Sequence, residues 1–252
     1  MAAHLEQAAQ FLRAARCVVA MTGAGVSAES GVPTFRGSGG LWQGRRAEEL
    51  ATPTAFARDP ELVWRFYEER RRNLTGVHPN PAHRVLAAWQ DRFASYTLIT
   101  QNVDGLHRAA GAREVLELHG NIWRVRCTAC GLEREGRTVP FPALPPHCSR
   151  CGGVERPAVV WFGEALPEAV FFQAAEAVSR ADVLLVVGTS AVVYPAAGLV
   201  EVAASHGASV IEVNPEPSAL ADRATLALRG PAGEVLPQLD ACLQGAGGGE
   251  AW

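Results

Sequence analysis

Apolar positions along the chain follow two alternating rhythms. Leu5, Ala8, Ala9, Leu12 and Ala15 recur at three- and four-residue intervals over residues 5–16, the stripe of a helix lying on a core. Cys17-Val-Val-Ala-Met-Thr22 follows as a short apolar run ending at glycine, as expected of a strand buried on both faces. Similar runs occupy 96–100, 183–187 and 209–213, and helical spacing returns near 61–74, 82–92, 167–179, 195–205 and 231–243. Near-continuous apolar strands alternating with helices predict an α/β protein, a parallel sheet with helices on both faces. Residues 127–151 break the rhythm with Pro140, Pro142, Pro145 and Pro146, which reads as an insert. Residues 244–252 are glycine-rich and read as a flexible tail, and no internal repeat is present.

Two cysteine pairs explain the insert. Cys127-x-x-Cys130 and Cys148-x-x-Cys151 are separated by 17 residues, the spacing of a four-cysteine zinc site. Each two-residue gap lets two thiolates reach one tetrahedral metal, and four thiolates close the site, so the zinc is expected to be structural. Two disulfides are the competing reading, disfavoured in a reducing compartment. Cys17 and Cys242 lie in apolar contexts and are expected to be core thiols.

Composition narrows the class. The 252 residues suit one large domain or one domain with a small insert, and 48% apolar with 19% charged residues is ordinary for a globular chain. The net charge of −3 disfavours a nucleic-acid or anionic-membrane binder. No apolar run approaches the ~20 residues of a membrane span. Met1 to Arg16 carries Glu6 and no compact apolar block, so it does not read as a signal peptide, and a cytoplasmic location is expected. All 23 basic residues are arginine, which excludes a Schiff-base or P-loop lysine.

The polar chemistry gathers at strand ends. The first strand runs into Thr22-Gly23-Ala24-Gly25-Val26-Ser27-Ala28-Glu29-Ser30-Gly31, a glycine-rich turn of the kind that meets a dinucleotide pyrophosphate. Ala28 stands where the fingerprint's third glycine would be, so this signal alone is weak. Gly188-Thr189-Ser190 and Asn214-Pro215-Glu216 also follow apolar strands, and ligands of open parallel sheets bind at such carboxyl ends. A fourth strand end, Thr100-Gln101-Asn102-Val103-Asp104-Gly105-Leu106-His107, adds an amide pair, a carboxylate and a histidine, and Leu116-Glu117-Leu118-His119-Gly120 adds a second histidine. For His107 a surface or satisfied core position is the favoured reading.

Together these segments resemble the sirtuin family of NAD-dependent protein-lysine deacylases. The likeness runs from Gly23-Ala-Gly-Val-Ser-Ala-Glu-Ser-Gly-Val-Pro-Thr-Phe-Arg-Gly37 through Thr100-Gln-Asn-Val-Asp104, His119-Gly120, the four cysteines, Val159-Val-Trp-Phe-Gly-Glu164 and Gly188-Thr-Ser190 to Asn214-Pro-Glu216, covering about residues 10–242. It implies a Rossmann-like domain with a zinc ribbon and a small helical insert. The expected division is 1–40, 82–122 and 156–243 for the NAD-binding domain, 41–81 for the helical insert with the acyl pocket, 123–155 for the ribbon and 244–252 for the tail.

The resemblance also implies a reaction. The acyl oxygen of an acyl-lysine attacks the anomeric carbon of the nicotinamide ribose and nicotinamide leaves. A histidine then deprotonates a ribose hydroxyl, and the products are free lysine, nicotinamide and 2′-O-acyl-ADP-ribose. His119 matches the base, and an ordinary histidine pKa of about 6.5 suits that task. Asn102 and Asp104 match residues at the nicotinamide end, completing the implied catalytic set. Gly23, Ala24, Gly25, Ala28, Glu29, Thr34, Phe35, Arg36, Trp42 and Gln101 match the NAD-binding loops. Phe35 is expected to shield the reacting centre from water and Arg36 to pair with phosphate. Gly188, Thr189 and Ser190 match the phosphates and ribose, Asn214, Pro215 and Glu216 the adenosine end, and Ala232 a backbone contact to adenine. Acyl-lysine proteins or peptides are the implied substrate partners. Val160, Trp161, Phe162, Gly163 and Glu164 match the strip that binds them.

Acyl preference rests on another segment. Leu62, Val63, Phe66, Tyr67 and Leu74 form the apolar stripe of one helix, and Arg70 lies on that stripe. Tyr67 and Arg70 at i,i+3 can point together, presenting a phenol and a guanidinium fork to a carboxylate at the end of an acyl chain. Tyr-x-x-Arg here resembles the sirtuin class that removes succinyl and malonyl as well as acetyl groups, and Ala51 matches a small residue that widens its acyl pocket. The competing reading has Arg70 reaching solvent or pairing with an acid such as Glu69. Two other functions share parts of the pattern. A dinucleotide oxidoreductase with structural zinc would show hydride transfer. A zinc-ribbon nucleic-acid module would use Arg124, Arg126, Arg134, Arg137, Arg150 and Arg156 and bind in a salt-dependent way.

Overall fold

The computed structural model describes residues 1–33, 41–190, 192–220 and 222–245, with Leu41 and Trp42 described by backbone alone. Val183–Val187 is buried at all five positions, which requires a strand covered on both faces. It is the β9 strand of a six-stranded parallel sheet ordered β11-β10-β9-β1-β4-β5. The other members are β1 (Cys17–Thr22), β4 (Ser95–Thr100), β5 (Leu116–Glu117), β10 (Ser209–Asn214) and β11 (Leu226–Arg229). Short β5 and β11 edge the sheet; four residues with a polar end in β11 leave little periodic signal in the sequence.

Chain order runs outward from β1 through β4 to β5 on one side and from β9 through β10 to β11 on the other. The adjacent strands β1 and β9 therefore mark the switch point, outside whose carboxyl ends ligands bind in open α/β sheets. Helices α1 (Ala2–Ala14), α6 (Pro81–Arg92) and α10 (Ala232–Gly245) cover one face, with Leu12, Leu86, Trp89 and Leu239 in its core. Helices α8 (Glu168–Ser179) and α9 (Gly198–Ser205) cover the other over Leu184, Val186 and Val200. The short α2 (Gly25–Ala28) and α7 (Leu106–Ala109) follow β1 and β4 at the carboxyl ends. Helix α9 begins at Gly198 rather than near 195, because Pro195 and its neighbours form tight turns: Ala197 N donates to Val193 O and Gly198 N to Pro195 O.

Two smaller units pack together over this end. The hairpin β2 (Leu41–Trp42) and β3 (Arg45–Arg46) leads into α3 (Ala47–Leu50), α4 (Pro53–Arg58) and α5 (Pro60–Leu74). Thr52 caps α4 by accepting from Ala55 N and Asp59 caps α5 by accepting from Leu62 N, each just before a proline at the first helical position. The second unit is an antiparallel sheet ordered β7-β6-β8, from β6 (Gly120–Cys127), β7 (Glu133–Glu135) and β8 (Glu155–Val159). Val63, Trp64, Phe66, Ile122, Val125 and Phe141 form a core shared by both units.

The buried cation on α5 is Arg71, while Arg70 is half-buried. Arg71 pairs with Glu68, donates to the carbonyls of Gly136 and Thr138, and stands 4.3 Å from the Phe141 ring centroid. Glu68 also accepts from Phe141 N at 3.2 Å. Cys17 and Cys242 are half-buried rather than enclosed, Cys242 packing against the edge of the core. Among the described residues no helix is long and apolar enough to cross a membrane.

Candidate active site

The turn after β1 lies directly against the turn after β9. Gly23 N donates to Val187 O at 3.0 Å and Gly25 N to Gly188 O at 2.7 Å. A Cβ on Gly25 would fall 2.8 Å from the Gly188 carbonyl oxygen, and Gly188 itself has φ +59. Both positions need glycine, one for close approach and one for its left-handed backbone. Gln101 Nε2 donates to Thr189 Oγ1 at 3.2 Å and Asn214 Nδ2 to Thr189 O at 3.0 Å. These bonds join the ends of β4, β9 and β10 around one crevice. Exposed Glu29 accepts from Gly233 N at 2.6 Å, which places it at the start of α10 beside buried Ala232. Ala28 is exposed, Ser190 half-buried, and Pro215 and Glu216 exposed beyond β10. Thr34, Phe35 and Arg36 lie outside the described residues, as does the side chain of Trp42.

Asn102 and Asp104 converge on the same turn. Asn102 Nδ2 donates to Gly23 O at 3.0 Å and to Ser27 Oγ at 3.1 Å, and Ser27 Oγ donates to Asp104 Oδ2 at 2.8 Å. Burial raises the Asp104 carboxyl above the ordinary carboxylate range, against the bonds from Leu106 N–H and the Ser27 hydroxyl. Behind Ser27 stands His83, whose Nδ1 accepts from Asn80 N at 3.3 Å, so its Nε2 carries the proton of a neutral ring and faces Ser27 Oγ at 3.3 Å. His107 is a core histidine, buried with Nε2 2.9 Å from Thr22 Oγ1. Burial pushes His83 down to about 4 and His107 to about 3. Sequence reasoning did not single out Ser27 or His83. The available signal was Asn80-Pro81, a helix cap that fixes where His83 falls.

His119 lies between β5 and β6, half-buried, with Nδ1 2.8 Å from Gln101 O. A carbonyl only accepts, so Nδ1 carries the proton and Nε2 is left as a base. Burial lowers the His119 pKa and the Gln101 bond opposes that. The His119 carbonyl accepts from Val160 N at 2.9 Å, which ties His119 to the strip 160–164. Phe162 N donates to Ala51 O at 2.9 Å, and Phe162 is exposed, while Trp161 and Ala51 are buried. A turn closes the strip where Glu164 N donates to Trp161 O at 3.0 Å, with Gly163 at φ +86. Tyr67 is buried on α5 and accepts from Trp161 Nε1 at 3.0 Å. Burial lowers the Arg70 pKa, and its neighbours Tyr67 and Asp104 oppose that.

The Sγ atoms of Cys127, Cys130, Cys148 and Cys151 all lie within 4.8 Å of one another. The Cys127–Cys151 and Cys130–Cys148 separations are 3.5 and 3.8 Å. Those gaps are too long for a disulfide's ~2.05 Å and close to the ~3.8 Å expected between thiolates of a tetrahedral Zn–S site. The donor set is all sulfur and complete, which suits structural zinc.

A parallel sheet with a glycine-lined crevice at its switch point, a histidine tethered to the end of β4 through Gln101 and a four-thiol ribbon define a class of nucleotide-dependent enzyme. The Sir2 family model matches residues 23–195, and the chain belongs to that family. It is 53% identical over 241 residues to an NAD-dependent protein deacylase of Thermococcus kodakarensis, covering 93% of this chain and 94% of that one. Its fold superposes on a Sir2 homolog–NAD complex with a TM-score of 0.91 at 47% identity, covering 96% and 94% of the two chains. A Sir2–p53 peptide–NAD+ structure matches at a TM-score of 0.84 and 32% identity, covering 96% and 98%.

Proposed function

We propose that this protein removes acyl groups from protein lysine side chains at the expense of NAD, yielding nicotinamide, 2′-O-acyl-ADP-ribose and free lysine. The reading takes acetyl groups as substrates, and succinyl and malonyl groups as well. The observation that carries it is the hydrogen bond between His119 Nδ1 and the Gln101 carbonyl, which selects the Nδ1–H tautomer and leaves Nε2 free to accept a proton.

NAD, when bound, supplies the ribose that accepts the acyl group. Gly23, Ala24, Gly25, Gly188, Thr189 and Ser190 would hold its phosphates and ribose on the paired turns after β1 and β9, with Glu29, Asn214, Pro215, Glu216 and Ala232 towards the adenosine end. Gln101, Asn102 and Asp104 would orient the nicotinamide end, since the Ser27 hydroxyl and the Gly23 carbonyl already fix the Asn102 amide and the Asp104 carboxylate. His119 Nε2 would take a proton from a ribose hydroxyl. Val160 to Glu164 would seat the peptide, and Ala51, Tyr67 and Arg70 the acyl end. Thr34, Phe35, Arg36 and Trp42, which follow α2 in the chain, complete the proposed NAD set. On this reading 1–40, 82–122 and 156–243 bind NAD, 41–81 reads the acyl chain and 123–155 is the zinc ribbon.

Mass spectrometry of NAD reactions with matched acetyl-, malonyl- and succinyl-lysine peptides tests the reading. Equal release of nicotinamide and free lysine supports it. Formation of NADH, or no loss of acyl groups, overturns it.

A further inference from the structure

We propose that Trp161, clamped by the Arg156–Glu164 ion pair, is a positioning residue that aims the Tyr67 hydroxyl at an acyl carboxylate and so takes part in setting acyl selectivity. This rests on the deacylase reading above.

An indole N–H donates only, and Trp161 Nε1 gives its one proton to Tyr67 Oη at 3.0 Å. With that lone pair taken, the phenol's own O–H points away from the indole. Burial raises the Tyr67 pKa, so the phenol keeps its proton and remains a donor at working pH. Arg70 on the next turn of α5 supplies the charge, and the aimed phenol supplies the direction.

Trp161 has little freedom to abandon this geometry. The Arg156 guanidinium lies 3.4 Å from its ring centroid, and the Phe56 ring packs 5.1 Å away at 44°. Arg156 Nη2 donates to Glu164 Oε2 at 2.8 Å and to Val159 O at 3.0 Å, with a second bond from Nη1 to Glu164 Oε1 at 2.5 Å. The same Glu164 Oε2 accepts from the Trp161 backbone N at 2.8 Å. One ion pair therefore fixes both the ring and the backbone of Trp161. The ring and its clamp come from β8 and the strip after it, while Tyr67 comes from α5. An acetyl group offers no partner for the aimed hydroxyl, whereas a succinyl or malonyl group does.

A double-mutant cycle tests this on the full chain, with kcat and KM measured for matched succinyl- and acetyl-lysine peptides at saturating NAD. Trp161→Phe keeps an aromatic ring at the position and deletes the donor. It should lower succinyl kcat/KM about 5- to 10-fold, mainly through KM, and lower the acetyl value by a smaller factor. In a Tyr67→Phe background the same change should cost almost nothing further on succinyl-lysine, because the hydroxyl it aims is gone. Arg156→Met should reduce the succinyl-to-acetyl ratio in the same direction, and Arg156→Lys should recover part of it. Additive Trp161 and Tyr67 effects, or equal losses on both peptides, would overturn the inference. So would a wild-type enzyme that turns over acetyl- but not succinyl-lysine. Absence of NAD-dependent deacylation of every peptide would instead sink the functional reading beneath it.

Discussion

Arg71 and Glu68 face each other across one turn of α5 with side-chain exposures of 0% and 4%, and Arg71 extends its bonds to the loop after β7. The enclosed cation is held because both terminal nitrogens find acceptors and its face meets the Phe141 ring, while Nε has no hydrogen-bond partner among the described residues. The pair stitches α5 to the zinc ribbon. Removing one partner leaves an uncompensated buried charge, which costs about 3–5 kcal/mol. Arg71→Met should lower the unfolding free energy from urea titration by that order, and the double change Arg71→Met with Glu68→Leu should recover much of the loss. A single variant as stable as wild type would show that the pair contributes nothing.

His119→Ala should abolish deacylation while NAD affinity, followed by calorimetry, stays within about threefold. Its pKa is lowered by burial, and the base works when neutral. The rising limb of kcat/KM with pH should therefore lie below 6.5, with a plateau through neutral pH. A limb above pH 7 would contradict the assignment of His119.

His83 and His107 tie stability to pH. Folded His83 takes a proton only near about 4 and His107 near about 3, whereas the unfolded residues do so near 6.5. Between those values the unfolded chain binds more protons, so stability rises with pH and falls on acidification. The slope is up to ~1.4 kcal/mol per pH unit for each histidine. Urea midpoints at pH 7 and pH 5 measure it. His107→Gln should flatten the dependence, and an unchanged slope in that variant would remove His107 from the account.

Arg70→Met should cost about 10- to 200-fold in kcat/KM on succinyl-lysine, because a charge-assisted bond to the distal carboxylate is worth ~1.5–3 kcal/mol or somewhat more in a partly buried site. Tyr67→Phe should act in the same direction but less strongly. Acetyl-lysine turnover should change much less in both. Equal losses on the two peptides would make Arg70 a structural residue.

Cys127→Ala should reduce bound zinc to well below one per chain, read by atomic emission, and lower stability or solubility. Since Arg71 reaches the carbonyl of Thr138 at 2.9 Å, unravelling of the ribbon should also loosen α5. A metal-free variant that stays soluble and fully active would contradict a structural zinc.

Local pattern alone was enough for the buried strands, the helices that cover them and the four-thiol ribbon, because hydrophobic period and cysteine spacing are written along the chain. The same holds for the turn glycines: Gly23, Gly25 and Gly188 follow apolar strands in the sequence, and in the structure they are where the backbones touch. What the sequence left open were choices between neighbours on one helix and contacts between distant segments. Arg70 and Arg71 are adjacent and look alike, yet only packing against Phe141 and the carbonyls of Gly136 and Thr138 makes Arg71 the buried one. Ser27, His83 and Asp104 are brought together from three separate elements. Trp161 and Tyr67 stand 94 positions apart in the chain. Such pairings depend on how the helical insert and the ribbon settle against the sheet, and only the folded chain sets those distances.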